Sequence, residues 1–143
     1  MSDAFDTDTE RDAIRALVAT LYRAISGPAG APRDWDSFLT CYAAEGRITP
    51  FEIAGDGALH FDVMTPAQYV ESRTRLLSGN AFYEREVRHE CAIEGRIANV
   101  FSHYEARRTP DGPAFTSGVN SLQLVRFDEG WRVLSITWRF TGG

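Results

Sequence analysis

What the sequence has little of is the first constraint on it. It holds two cysteines, Cys41 and Cys91, far apart and in no CxxC spacing. That gives neither a disulfide framework nor a zinc site any support, and each thiol reads as a small buried apolar side chain. No stretch approaches the roughly 20 consecutive apolar residues that span a bilayer, so no membrane is expected as a partner. Residues 1–10 are acidic and polar where a secretory leader would need a basic start and an apolar run, and the expected location is the cytoplasm. Positive charge is short as well. Against 20 Asp and Glu stand 15 Lys and Arg, a formal net charge of -5, and the field around such a chain repels a phosphate backbone. Nucleic acid is therefore not an expected partner. The signatures of phosphate loops, dinucleotide folds, zinc proteases, calcium loops and nucleophile elbows are absent together. Neither a metal nor a tightly held cofactor is expected, and no internal repeat or low-complexity segment interrupts the chain.

What is present is a periodic chain of 143 residues, 43% of them apolar, enough to bury one core. A single domain over 1–143 is expected, with the first half dozen residues disordered. Thr7 with Glu10 three residues on is a capping box, followed by Ile14, Leu17, Val18, Leu21, Tyr22 and Ile25 on one helical face. Gly27 and Pro28 end that helix. Asp34 or Asp36 can cap a shorter helix whose apolar side carries Trp35, Phe38, Leu39 and Tyr42, ending near Gly46. Residues 47–54 and 58–64 read as a hairpin across Gly55-Asp56-Gly57. Thr65-Pro66 then opens a third helix running to about Leu77.

From Phe82 the period changes to alternation, punctuated by turn signals at Glu94-Gly95-Arg96, Pro110-Asp111-Gly112-Pro113 and Asp128-Glu129-Gly130. Four antiparallel strands are expected at 82–94, 96–108, 114–127 and 131–140. Helices first and a strand meander afterwards is an α+β order.

Four stretches carry a resemblance: Trp35-Asp36-Ser37-Phe38-Leu39-Thr40-Cys41-Tyr42, Gly95-Arg96-Ile97-Ala98-Asn99-Val100, Ser102-His103-Tyr104-Glu105, and Gly118-Val119-Asn120-Ser121-Leu122-Gln123-Leu124 closing on Gly130-Trp131-Arg132-Val133. Over residues 8–140 the chain resembles the nuclear transport factor 2-like superfamily, in its SnoaL-like or ketosteroid-isomerase-like branch. The resemblance implies a cone-shaped, strongly curved mixed or antiparallel sheet of about six strands, wrapped around three helices from the N-terminal half and enclosing a central pocket. It also implies a small-molecule ligand and a homodimer, without naming a reaction, because the scaffold hosts isomerases, dehydratases, cyclases and non-catalytic binders.

A two-residue turn at Gly95 sets the faces of the first long hairpin. Val87, His89, Cys91 and Ile93 then join Ala98, Val100, Ser102 and Tyr104 on one largely apolar face, the composition of a ligand cavity. Arg88, Glu90, Asn99, Phe101 and His103 fall on the other. Asn120 stays open, because Asp128-Glu129-Gly130 can close as two residues or three. In the last strand Trp131 and Val133 alternate with Leu134, Ile136 and Trp138, so both faces are apolar, and a homodimer through the convex face is the expected reason.

His89 is the candidate acid or base, an imidazole in an apolar cavity being able to move a proton near neutral pH. A core histidine bonded to a neighbour is its alternative. Asp36 is the candidate orienter, with a plain helix cap as its alternative. Tyr104 and Tyr42 are candidate hydroxyl donors to a carbonyl, and Ser102, Val100, Cys91, Phe38, Trp35 and Asn120 are candidate ligand contacts. Glu84-Arg85-Glu86 and Arg107-Arg108 read as solvated strand faces. The expected function is binding of a small apolar or aromatic metabolite, as a cofactor-free isomerase, dehydratase or cyclase working by proton transfer. A non-catalytic binding or interaction module is the alternative.

Overall fold

The computed structural model describes residues 5–140. Helix α1 spans Asp8–Ile25, with the Thr7 side chain accepting from the Glu10 amide at 3.2 Å. Its inward stripe of Ile14, Val18, Leu21, Tyr22 and Ile25 is buried, each such side chain contributing about 1.5–3 kcal/mol by leaving water. The expected disorder of the first half dozen residues lies, for 1–4, outside the described residues. Phe5, by contrast, packs against the core with the Arg126 guanidinium 5.2 Å from its ring.

Helix α2 is Trp35–Thr40, capped by Asp34 rather than Asp36. It stops well short of Gly46, because the Cys41 carbonyl accepts from the Val133 amide at 2.8 Å and draws the chain into the sheet. Strand β1 (Tyr42–Ile53) pairs antiparallel with the short β2 (Leu59–Phe61) across the glycine turn. Helix α3 (Pro66–Ser78) begins at Thr65 with a complete capping box to Gln68. The meander follows as β3 (Tyr83–Glu94), β4 (Ile97–Arg107), β5 (Ala114–Phe127) and β6 (Gly130–Arg139).

The order across the sheet is β2-β1-β6-β5-β4-β3, with β1 parallel to β6 and every other neighbour antiparallel. The sheet is open, and α1 lies across its concave side. One clamp fixes that helix. Glu10 Oε1 accepts from Arg126 Nε at 2.5 Å and from the Trp131 indole at 3.2 Å.

Two β-bulges decide which side chains face inward. Between Glu86 and Arg88 the register of β3 against β4 slips by one, so Val87, expected inside, is 53% exposed. Glu86 and Glu84, read as solvated, turn toward the concave side instead. The second bulge separates Gln123 and Leu124 on β5, which pair with Ser135 and Val133 and leave Leu134 over on β6. Trp131, Val133 and Ile136 are thereby all buried, with Trp138 packed against the same core. Of the apolar residues of β6 only Leu134 stays off that core, so the two-faced apolar pattern behind the expected dimer is reduced to one side chain.

Candidate functional site

The turn at Gly95 closes as the expected two-residue loop, since Glu94 pairs with Ile97, and the open one at 128–130 also closes on two residues, since Phe127 pairs with Gly130. Gly95 takes the positive φ of 56° that the first of these turns needs. The registers then place Cys91 opposite Val100, His89 opposite Ser102, and Ser102 opposite Asn120. His89 points inward, its side chain 5% exposed, while His103 sits outside against Glu90.

These registers assemble a polar chain across an otherwise apolar interior. Asn120 Nδ2 donates to the Tyr22 hydroxyl at 3.0 Å. Tyr22 meets Ser102 Oγ at 2.6 Å, and Ser102 donates to Glu86 Oε2 at 2.5 Å. The same carboxylate oxygen takes His89 Nδ1 at 2.8 Å. Each hydroxyl has one proton, and Ser102 commits its own to Glu86, so Tyr22 must donate to Ser102 and accept from Asn120. The chain is polarised toward Glu86. Ser102 is fully buried, and its two partners explain how a hydroxyl is tolerated there.

Next to this chain lies a cavity of about 150 Å³. Its walls come from Tyr69 and Arg73 on α3, Glu84 on β3, Tyr104 on β4, Phe115 on β5 and Trp138 on β6. A smaller hollow of about 40 Å³ runs deeper among Tyr22, Phe38, Tyr42 and Asn120, sharing Ile25, Tyr69 and Trp138 with the first. Phe38 stacks on Tyr69 with centroids 5.4 Å apart, and Tyr69 meets Trp138 edge-on at 6.0 Å. The Tyr104 ring lies flat over Gly118, where an added Cβ would come within 2.6 Å of the hydroxyl oxygen. Only glycine leaves that ring its place. A larger but shallow depression at Glu52, His60 and Phe140 lies on the outer surface around β2.

Glu84 is the outlying group electrostatically. Among the described residues nothing donates a hydrogen bond to its carboxyl, and burial pushes it up to about 8, with Arg73 pulling weakly the other way. Burial likewise raises Tyr104 to about 12, helped by Glu84 and Tyr69. Tyr22, Tyr42 and Tyr69 are raised by the same desolvation. All of these hydroxyls are neutral donors at neutral pH.

Of the residues singled out from sequence, Tyr104 lines the main cavity, and Tyr42, Phe38 and Asn120 line the inner hollow. His89 and Ser102 belong to the polar chain; Val100 is buried and Cys91 and Trp35 are partly buried against the core, and none of these five borders either space. Asp36 is exposed on the first turn of α2, and the carboxylate that holds His89 is Glu86. Sequence reasoning missed Glu84, Glu86, Tyr69 and Arg73. The mixed charges of Glu84-Arg85-Glu86 read as a solvated face, and nothing in residues 84–88 announces the bulge that turns the two glutamates inward.

Helices followed by a curved meander, a parallel β1–β6 contact and a hollow under α3 together decide the architecture. The fold is that of the nuclear transport factor 2-like proteins. A protein of unknown function with a cystatin-like fold from Nostoc punctiforme superposes with a TM-score of 0.72 at 12% identity, over 93% of this chain and 92% of that one. A nuclear transport factor 2-like protein with a cystatin-like fold from Novosphingobium aromaticivorans gives 0.67 at 19% identity, over 94% and 84%. A candidate aromatic ring hydroxylase from the same organism gives 0.68 at 18%, over 94% and 91%. No family model and no curated protein matches the chain in sequence. At these identities the likeness to nuclear transport factor 2-like structures is one of fold, and the reaction has to be argued from the site. Among the described residues no helix is long and apolar enough to cross a membrane.

Proposed function

We propose that this domain binds a compact, largely apolar or aromatic metabolite in the cavity under α3 and moves a proton on it without a cofactor, in the class of isomerisation, dehydration or cyclisation. The observation that carries this reading is the Glu84 carboxyl, on the cavity wall without a hydrogen-bond donor among the described residues and held at about 8. A carboxyl poised there keeps its proton at neutral pH and can still give it up, which is what a general acid or base requires. Tyr104 on the same wall supplies a neutral O–H to polarise a carbonyl. A proton lent by Glu84 to one atom of the ligand and recovered from another leaves the protein unchanged.

Volume supports a small ligand, since about 150 Å³ is the size of space that accepts a single benzene ring. His89 acts one layer back, through Glu86, Ser102 and Tyr22, as a positioning residue. Phe38, Tyr42 and Asn120 shape the deep end, with Trp35 edge-on against Phe38. Cytoplasmic location and a homodimer through the convex face belong to the same proposal.

A non-catalytic binding or dimeric interaction module is the second reading. It is favoured by Val87, Phe101 and Val119, exposed together on the convex face around His103.

A thermal-shift screen with single-ring metabolites tests the first reading, a ligand at 100 times its dissociation constant adding about 2.7 kcal/mol. For a ligand that is turned over, Glu84→Gln is expected to lower kcat by about 10²- to 10⁴-fold while binding persists. Turnover at the parental rate in that variant would remove Glu84 from the chemistry.

A further inference from the structure

The rim of the cavity is as informative as its floor. Arg73, Arg108 and Arg139 all border it, in a chain whose formal net charge is -5. Arg73 forms no ion pair among the described residues. Its guanidinium carbon instead lies 4.8 Å from the centre of the Tyr69 ring and 5.3 Å from that of Phe140. Arg108 is held in a similar way, 3.9 Å over the Phe115 ring, with Nη1 donating to the Ala81 carbonyl at 3.0 Å.

A guanidinium carries five N–H donors, more than its contacts with Tyr69 and Phe140 can occupy, so donors remain for a planar acceptor. A guanidinium ordered on aromatic rings also loses little further freedom when it binds. We infer that the ligand is a compact organic carboxylate, its ring or short apolar body between Tyr69, Tyr104 and Trp138 and its carboxylate on the in-plane edge of Arg73.

This rests on the ligand-binding reading above and narrows its substrate class. A neutral apolar ligand would need no cation at the entrance, and stranding one beside an apolar guest carries a desolvation cost. Glu84 offers no obstacle. Its carboxyl keeps its proton at neutral pH, so it presents a donor rather than a second negative charge to the guest.

The inference is tested by isothermal titration of the full chain with benzoate and with its neutral isosteres benzamide and benzyl alcohol, in low and in high sodium chloride. Benzoate is expected to bind about tenfold tighter than either neutral probe, the size of one charge-assisted hydrogen bond. That preference is expected to shrink with salt. Arg73→Gln, checked for an unchanged circular dichroism spectrum, should abolish the preference, Arg73→Lys should restore part of it, and Arg15→Gln, away from the cavity, should keep it. If Arg73→Gln does not fold, loss of the preference in high salt in the parent chain stands in for it. Equal affinity for benzoate and benzamide overturns the carboxylate assignment while leaving a ligand site. Absence of binding by all three probes overturns both.

Discussion

At neutral pH Glu84 keeps a proton in the folded chain that it releases on unfolding, because burial moves it from an ordinary value of 4.5 to about 8. Across that window the folded state binds the extra proton, so its contribution to stability is full below about 4.5 and is lost as pH rises toward 8, with a slope of up to about 1.4 kcal/mol per pH unit. Glu84→Gln should flatten this part of the profile and make the variant more stable than the parent near pH 8. Denaturant midpoints at pH 5, 6, 7 and 8 check it, and parallel curves for the two proteins would contradict the buried carboxyl. The polar chain predicts a coupling. Tyr22→Phe leaves Asn120 Nδ2 without its acceptor and Ser102 without its donor, at a cost of about 1–3 kcal/mol. With Ser102→Ala it should give a double-mutant interaction energy above about 0.5 kcal/mol. Additive losses would mean the two hydroxyls act separately. Gly118→Ala should cost about 1–3 kcal/mol, because the new methyl would sit 2.6 Å from the Tyr104 hydroxyl and 2.8 Å from its ring carbon. A melting temperature equal to the parent's would show that the ring has room to move.

Along the elements, ends were more legible than faces. The expected strand 82–94 is observed as Tyr83–Glu94, and 114–127 as Ala114–Phe127, because turn residues and capping side chains act on their immediate neighbours. Faces depend on counting in twos, and one inserted residue inverts everything beyond it. The bulge at Val87 moved two glutamates into the interior, and that at Leu134 brought Trp131, Val133 and Ile136 onto one side. Val87→Asp therefore belongs among surface changes, expected to shift stability by no more than about 0.5 kcal/mol, where a core position would lose several times that. A drop of about 3 kcal/mol in chemical denaturation would put Val87 back in the core.

For the whole molecule, the open question at the surface is the convex face, where Phe101 is 52% exposed beside Val119 and Val87. If that strip is covered by a second copy, light scattering at micromolar concentration should give twice the mass of one chain, and Phe101→Asp should return the monomer. A monomeric parent chain would leave the strip as ordinary surface. The residue pattern alone determined the α+β order, the three helices, the six strands and the inward turn of His89, since those follow from local capping, turn chemistry and alternation between neighbouring strands. Only the tertiary structure decided that Glu84 and Glu86 face the interior, that Asn120 and Tyr22 meet across the cone, and that the free volume lies under α3 instead of beside His89. Those outcomes depend on register slips and on helices packing over the sheet from distant parts of the chain, and such contacts leave no mark in the spacing of nearby residues.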